Sequence, residues 1–222
     1  MSEISRSELG LLYLRKMAQK HVRPMSAKDI PAVVEIHVAA FPGYFMTSLG
    51  PKFLALFYAE AQRSSSCVAQ VFERDGMVRG FCLGELNSGS FYRRLFVRNW
   101  FLLTVISLMA VVKQPWILVR IARSLLERSA RSGPEDYSVL GSTAVFPEEE
   151  ARGYGLALVT AYLDHLRKLG VREVRCEVSI KNQGLIRAYR TMGFQVLGER
   201  RVFPGTTLVE LSCHLRNEEA GA

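Results

Sequence analysis

Cysteine and histidine are scarce in this chain, with four of each among 222 residues. Cys67, Cys82, Cys176 and Cys213 stand far apart, each among apolar neighbours. Such spacing fits neither a zinc ligand set nor a disulfide framework, so buried free thiols in a reducing cytoplasm are expected. The scattered histidines likewise argue against a metal site. Met1 to Gly10 has no long apolar stretch, so no secretory signal is expected. Trp100 to Val112 carries no charge but runs for only 13 residues, short of the ~20 that a bilayer-spanning helix requires. Extending it to Val119 takes in Lys113 and Pro115, and the proline there marks a break between two helices.

Acidic charge is nearly missing from one region. Between Phe91 and Arg131 the basic residues are Arg93, Arg94, Arg98, Lys113, Arg120, Arg123, Arg128 and Arg131, and only Glu127 opposes them. The 21 basic and 20 acidic residues elsewhere almost cancel, so the net charge of +8 is a local feature. Ile117, Leu118, Ile121 and Leu125 form an apolar stripe bordered by arginines. That pattern suits peripheral contact with an anionic membrane or a lipid-linked substrate. A homodimer contact or a lid over an acceptor site fits it equally, and a simple extension of the core fits it less well. A polar basic groove for nucleic acid does not.

What the chain does have is apolar residues, 49% of the total, enough for one substantial core. A single domain over 1–222 is expected, with an N-terminal helix in 1–20 and a helical insertion over 91–131. The stretch from Ala144 to Val159 organises the rest. An apolar strand pattern stops at Pro147 and the acidic Glu148, Glu149 and Glu150, which read as a solvated turn. Gly153 and Gly155 follow, and an amphipathic helix pattern begins at once. Glycines allow close backbone approach, and unpaired N–H groups at a helix start attract anions. Strand, turn and helix together read as a phosphate cradle. Neither a Gly-Lys-Ser/Thr sequence nor a third glycine follows, so it is neither a P-loop nor a dinucleotide fingerprint.

The chain in order predicts a helix over 7–20, a strand at 22–25, and a helix after the capping signal Ser26 to Asp29. An aromatic loop, 41–46, leads into a helix over 49–62. Strands at 67–72 and 77–86 form a hairpin around Asp75-Gly76. After the insertion come a strand at 137–146, a helix at 155–169, a strand at 171–178, a helix at 182–192, and antiparallel strands at 194–202 and 207–215. Residues 217–222 are expected to fray. This order predicts an α/β domain, a mixed central sheet flanked by helices.

Two motifs carry a resemblance. Arg152-Gly153-Tyr154-Gly155-Leu156-Ala157 fits the Arg/Gln-x-x-Gly-x-Gly/Ala signature of the GNAT superfamily of acyl-CoA-dependent N-acyltransferases. Asn182 to Tyr189, followed by Met192-Gly193-Phe194, is similar to that family's second motif, with Leu185 for the usual Ala and Ala188 for the usual Leu. The resemblance implies the GNAT-like fold, with the helical insertion between its third and fourth strands, and an acetyl-CoA-dependent transfer of an acetyl group to a small amine. It places the cofactor's pyrophosphate at Arg152, Gly153, Tyr154, Gly155, Leu156 and Ala157, and its pantetheine arm along Val145 and Phe146. Asn182 caps its helix and by the same resemblance bonds near the cofactor. Tyr189 is implied as general acid for the departing thiolate. Glu177 is the first choice of base, with Glu85 or a water as alternatives. A solvent-facing Glu177 paired with Arg172 or Arg175 is as consistent with the sequence. His37 reads as a packed core residue. The stretch 41–54 resembles a bacterial GNAT subgroup found with surface-polysaccharide biosynthesis genes, which implies an amino-sugar acceptor, free or nucleotide- or lipid-linked. A non-catalytic module of the same fold, binding CoA or docking on a membrane, is the alternative.

Overall fold

The computed structural model describes residues 6–86, Phe91, 137–203 and 206–215. Apart from Phe91, the basic insertion at 91–131 lies outside these residues, as does the expected fraying at 217–222. In chain order the elements are α1 (Arg6–His21), β1 (Val22–Pro24), a 3-10 turn (Ala27–Asp29), α2 (Ile30–Ala40), α3 (Phe45–Ser48) and α4 (Pro51–Arg63). They continue with β2 (Cys67–Arg74), β3 (Met77–Glu85), β4 (Tyr137–Val145), a second 3-10 turn (Pro147–Glu149) and α5 (Tyr154–Lys168). Last come β5 (Glu173–Ser179), α6 (Gln183–Thr191), β6 (Gln195–Phe203) and β7 (Thr206–His214). Among the described residues the strands form one sheet of seven, in the order β1-β2-β3-β4-β5-β7-β6. Only β4 and β5 run parallel, as a strand–helix–strand unit requires. The mixed sheet expected from the sequence is present.

Alternation along the strands divides the core in two. Val68, Phe72, Cys82, Val174, Cys176 and Val178 pack on one face with α5 and α6. Val71, Phe81 and Leu83 pack on the other with α2 and α4. Successive side chains leave a strand on opposite sides, so one strand serves both layers. Gly84 is where the first layer comes closest. A Cβ there would run into the ring and hydroxyl of Tyr162 on α5. That hydroxyl lies 2.6 Å from Ser138 Oγ, which donates to Glu85 O at 2.8 Å, so the buried phenol is satisfied.

The capping signal is realised in full. Ser26 N and Ser26 Oγ both donate to Asp29 Oδ2, at 2.8 and 2.7 Å. Arg23 closes on the same carboxylate with two bonds of 2.7 and 2.8 Å, holding it ionised well below the ordinary carboxylate range. The aromatic loop needs a correction, because Phe45–Ser48 is a helical turn. Thr47 Oγ1 donates back to Phe41 O at 2.7 Å and Ser48 N to Tyr44 O at 3.0 Å, which closes the turn locally. No helix among the described residues is long and apolar enough to cross a membrane.

Candidate active site

The parallel ladder between β4 and β5 is short. It pairs Tyr137 to Leu140 with Glu173 to Cys176 and then stops. β5 continues on β7 through Ser179, and β4 continues on β3 through Val145. A bulge at Gly141 accompanies the separation, since Leu83 pairs with Ser142 and Gly84 with Leu140. Beyond Leu140 one edge of β4 is therefore open in the middle of the sheet. Such an edge accepts an extended ligand as an added strand would be accepted.

Val145 and Phe146 differ in what they offer. Phe146 N donates to Arg79 O at 3.2 Å, and Phe146 O accepts from Glu149 N at 2.8 Å. Both backbone groups of Phe146 already have protein partners. Alternation turns those of Val145 toward the open edge. Of the two residues expected to pair with a pantetheine arm, only Val145 leaves backbone groups facing the open edge.

The turn that follows is shaped for an anion. Ala151 and Gly153 both take positive φ, 63° and 81°, on either side of Arg152. Alternating left-handed residues point successive N–H groups into one concavity. Gly153 is the N-cap of α5, and no side chain caps that helix. The first bond back into the turn is Ala157 N to Gly153 O, at 2.9 Å. The N–H groups of Tyr154, Gly155 and Leu156 have no acceptor among the described residues, so the positive end of the dipole meets no protein acceptor. The Tyr154 side chain turns inward instead. It stacks on Phe72 at 4.3 Å, and its hydroxyl accepts from Arg74 Nη1 at 2.5 Å. Leu14 of α1 lies 3.6 Å from where a Gly153 Cβ would be, so the extra N-terminal helix buttresses the cradle from below.

The acidic run before it needs a correction too. Glu148 and Glu150 are exposed, but the side chain of Glu149 is 13% exposed and tied to two arginines. The two-residue overlap of the 3-10 turn with the acidic run folds Glu149 inward, which no charge count could show.

Tyr189 lies on the buried side of α6, 3% exposed and stacked on Phe194 at 5.0 Å. Burial lifts its phenol well above its ordinary value, with Cys176 and Cys82 adding to the effect and Thr143 opposing it. Thr143 stands on the open part of β4, and its Oγ1 lies 3.5 Å from Cys82 Sγ. Asn182 is the N-cap of α6, its Oδ1 accepting from Leu185 N at 3.1 Å, as expected of a cap. Tyr189 and the cradle thus sit on the same sheet face, at the two ends of the opening.

Glu177 projects to the opposite face, since its neighbours Cys176 and Val178 belong to the layer of Tyr189. Arg200 of β6 grips both its oxygens through Nη2, at 2.8 and 3.0 Å. The expected partners Arg172 and Arg175 do not take this part; Arg175 pairs with Glu173 at 2.7 Å. Glu85 lies on the closed side of the split, opposite Val139, and accepts from Phe91 N at 3.0 Å. His37 is the core residue expected. It is 3% exposed, bonded through Nδ1 to Tyr58 at 2.7 Å, and burial pulls it down to about 4. Cys82 and Cys176 are pushed up to about 12 by burial, so neither is a thiolate at neutral pH. Among the described residues no cluster of His, Cys, Asp or Glu is arranged to hold a metal ion.

Residues 30–194 match the model of the acetyltransferase (GNAT) family. Among solved structures, the chain is similar to the ribosomal-protein-S18-alanine N-acetyltransferase of Escherichia coli, with a TM-score of 0.57, 16% identity, and 90% of this chain and 97% of that one covered. It is similar to the ribosomal-protein-alanine N-acetyltransferase of Brucella melitensis, with a TM-score of 0.58, 17% identity, and coverage of 87% and 99%. An N-acetyltransferase from Staphylococcus aureus Mu50 gives 0.59, 13%, and 88% and 98%. At such identities the likeness is one of fold. No protein of curated function matches the chain in sequence.

Proposed function

The chain belongs to the GNAT acetyltransferase family, and from that premise we propose that it acetylates the amine of a small molecule by direct attack on acetyl-CoA at the opening between β4 and β5. One observation carries the assignment of the site. The uncapped start of α5 and the buried phenol of Tyr189 stand at opposite ends of that opening, on one face of the sheet.

The N–H groups of Tyr154, Gly155 and Leu156, together with Arg152, receive the pyrophosphate. Val145 pairs with the pantetheine arm, which directs the thioester toward Thr143 and Tyr189. The amine nitrogen attacks the thioester carbon, and a C–N bond forms as the carbonyl oxygen takes up charge. The ammonium proton leaves to Glu177 through water. On collapse the C–S bond breaks, and the thiolate takes the Tyr189 proton. A phenol held above its ordinary value remains protonated at neutral pH, as this role needs. Acid and base then lie on opposite faces of the gap, with the reacting carbon between them. The raised thiols of Cys82 and Cys176 speak against an acyl-cysteine intermediate.

The acceptor we infer is an amino sugar, free or nucleotide- or lipid-linked. What supports it is the aromatic surface of the 41–44 segment, where Phe41 and Tyr44 stand 5.3 Å apart and Tyr44 is 53% exposed. Two of the named neighbours are ribosomal-protein alanine N-acetyltransferases, and the third is named without a substrate, so they lend the sugar no support. Thiol release from acetyl-CoA, measured over amino sugars, short peptides with N-terminal alanine and amino acids, tests both the activity and the acceptor. Peripheral membrane contact or dimerisation through 91–131 is proposed from the sequence alone, and liposome flotation and sedimentation of the intact protein test it.

A further inference from the structure

Three arginines converge on the cradle from separate parts of the chain. Arg152 lies within the turn, Arg79 comes from β3 and Arg74 from the end of β2. Arg74 is engaged by the Tyr154 hydroxyl and by Asp75. The other two share one partner. Arg152 Nε lies 3.1 Å from Glu149 Oε2, and Arg79 Nη1 lies 3.6 Å from Glu149 Oε1. Arg79 is fixed beside the turn by its own backbone, because Arg79 O accepts from Phe146 N.

The pairing is imperfect. Glu149 Oε2 is shut off from water yet makes no aligned hydrogen bond, even to the guanidinium 3.1 Å away. A carboxylate withdrawn from water without full hydrogen bonding recovers little of its desolvation cost. A diphosphate at the same place would give Arg152 two or more well-directed oxygens and accept from the N–H groups at the start of α5. Glu149 has open solvent close by, as the exposure of Glu148 and Glu150 on either side shows.

We propose that Glu149 is an internal counter-anion that holds Arg152 and Arg79 beside the cradle and competes there with the cofactor's pyrophosphate, so that it sets how tightly coenzyme A binds. The inference rests on the proposed role of the 152–157 turn as the pyrophosphate site. When the cofactor arrives the arginines exchange one carboxylate for the diphosphate, and Glu149 swings outward. Its like charge then remains near the ligand and weakens the complex, which favours release of free coenzyme A after transfer.

Titration of coenzyme A into the intact protein, by calorimetry at two salt concentrations, tests this. Glu149→Gln keeps the shape of the side chain and removes its charge. It should bind coenzyme A roughly threefold to tenfold more tightly, as expected for one unit charge a few ångströms from the ligand in a well-solvated site. Glu148→Gln makes the same change of net charge at an exposed position and should shift the affinity far less. In an Arg152→Gln background the gain from Glu149→Gln should shrink. Equal effects of the two glutamine variants, or weaker binding by a Glu149→Gln protein that melts like the wild type, would overturn the proposal. If Glu149→Gln does not fold, Glu149→Asp, which keeps the charge but shortens its reach to Arg152, should still bind coenzyme A more weakly than Glu149→Ala; the reverse order overturns it. Wild-type protein that binds no coenzyme A, or binds it regardless of Arg152, would instead refute the reading of the cradle itself.

Discussion

Tyr189 on α6 stacks on Phe194 at 5.0 Å, in the same buried layer as Cys176, the last residue of β5 that pairs with β4. Burial keeps the phenol protonated beside the end of the β4–β5 ladder. Tyr189→Phe keeps the stack on Phe194 and removes only the hydroxyl. It should lower kcat by about 10²-fold with little change in KM for acetyl-CoA. Steady-state kinetics from pH 6 to 9 check this. Unchanged turnover would show that the thiolate takes its proton elsewhere.

Glu177, held by Arg200 on the opposite face of the sheet, is the proposed acceptor of the ammonium proton. Glu177→Gln should reduce kcat/KM for the amine by roughly 10²-fold, with the affinity for coenzyme A unchanged. Relief of the defect as rising pH deprotonates the free amine is the expected signature. A variant as active as the wild type at every pH would leave water as the acceptor.

Gly84 faces the ring of Tyr162 with no room for a methyl group. Gly84→Ala forces the ring off its bond to Ser138 and should cost about 3 kcal/mol, read as a lower urea midpoint. Gly153→Ala acts on the site instead. At a φ of 81° a side chain is strained, so coenzyme A binding should weaken about tenfold for roughly 1–2 kcal/mol of backbone strain. Unaltered binding would mean that the turn does not shape the cofactor site.

The sequence carried the elements well, and the reason is local. Ser26 and Asp29 cap, Asp75-Gly76 turns a hairpin, and Gly153 caps the start of α5, each by chemistry within a few residues. What it could not carry depends on distance in the chain. Arg200 is 23 residues from Glu177, so the expected partners Arg172 and Arg175 were simply the near ones. Glu149 read as solvated because its neighbours are, while Arg79 reaches it from another strand. The separation of β4 from β5 depends on where a ladder stops, and only Gly141 hints at it.

His37 gives the fold an acid sensitivity whose sign is fixed by burial. Its folded value is about 4 against an ordinary 6.5, so the unfolded chain takes up the proton first. Stability is therefore full above pH 6.5 and declines as pH falls toward 4, by about 3 kcal/mol in total. Asp29, whose value is also depressed, adds to the loss only below the ordinary carboxylate range. Urea melts of wild type and His37→Gln at pH 7 and pH 4.5 should show a smaller pH dependence in the variant. An equal dependence would assign the sensitivity to other groups.

The central claim is acetyl transfer at the opening between the cradle and Tyr189. Its most direct test follows thiol release from acetyl-CoA and the acetylated amine together, over the amine panel, in wild type and Tyr189→Phe. The account predicts one thiol released per amine acetylated for at least one acceptor, with the rate falling in the variant. Tight coenzyme A binding without release for any amine would contradict it, and would leave the chain a cofactor-binding module of the same fold.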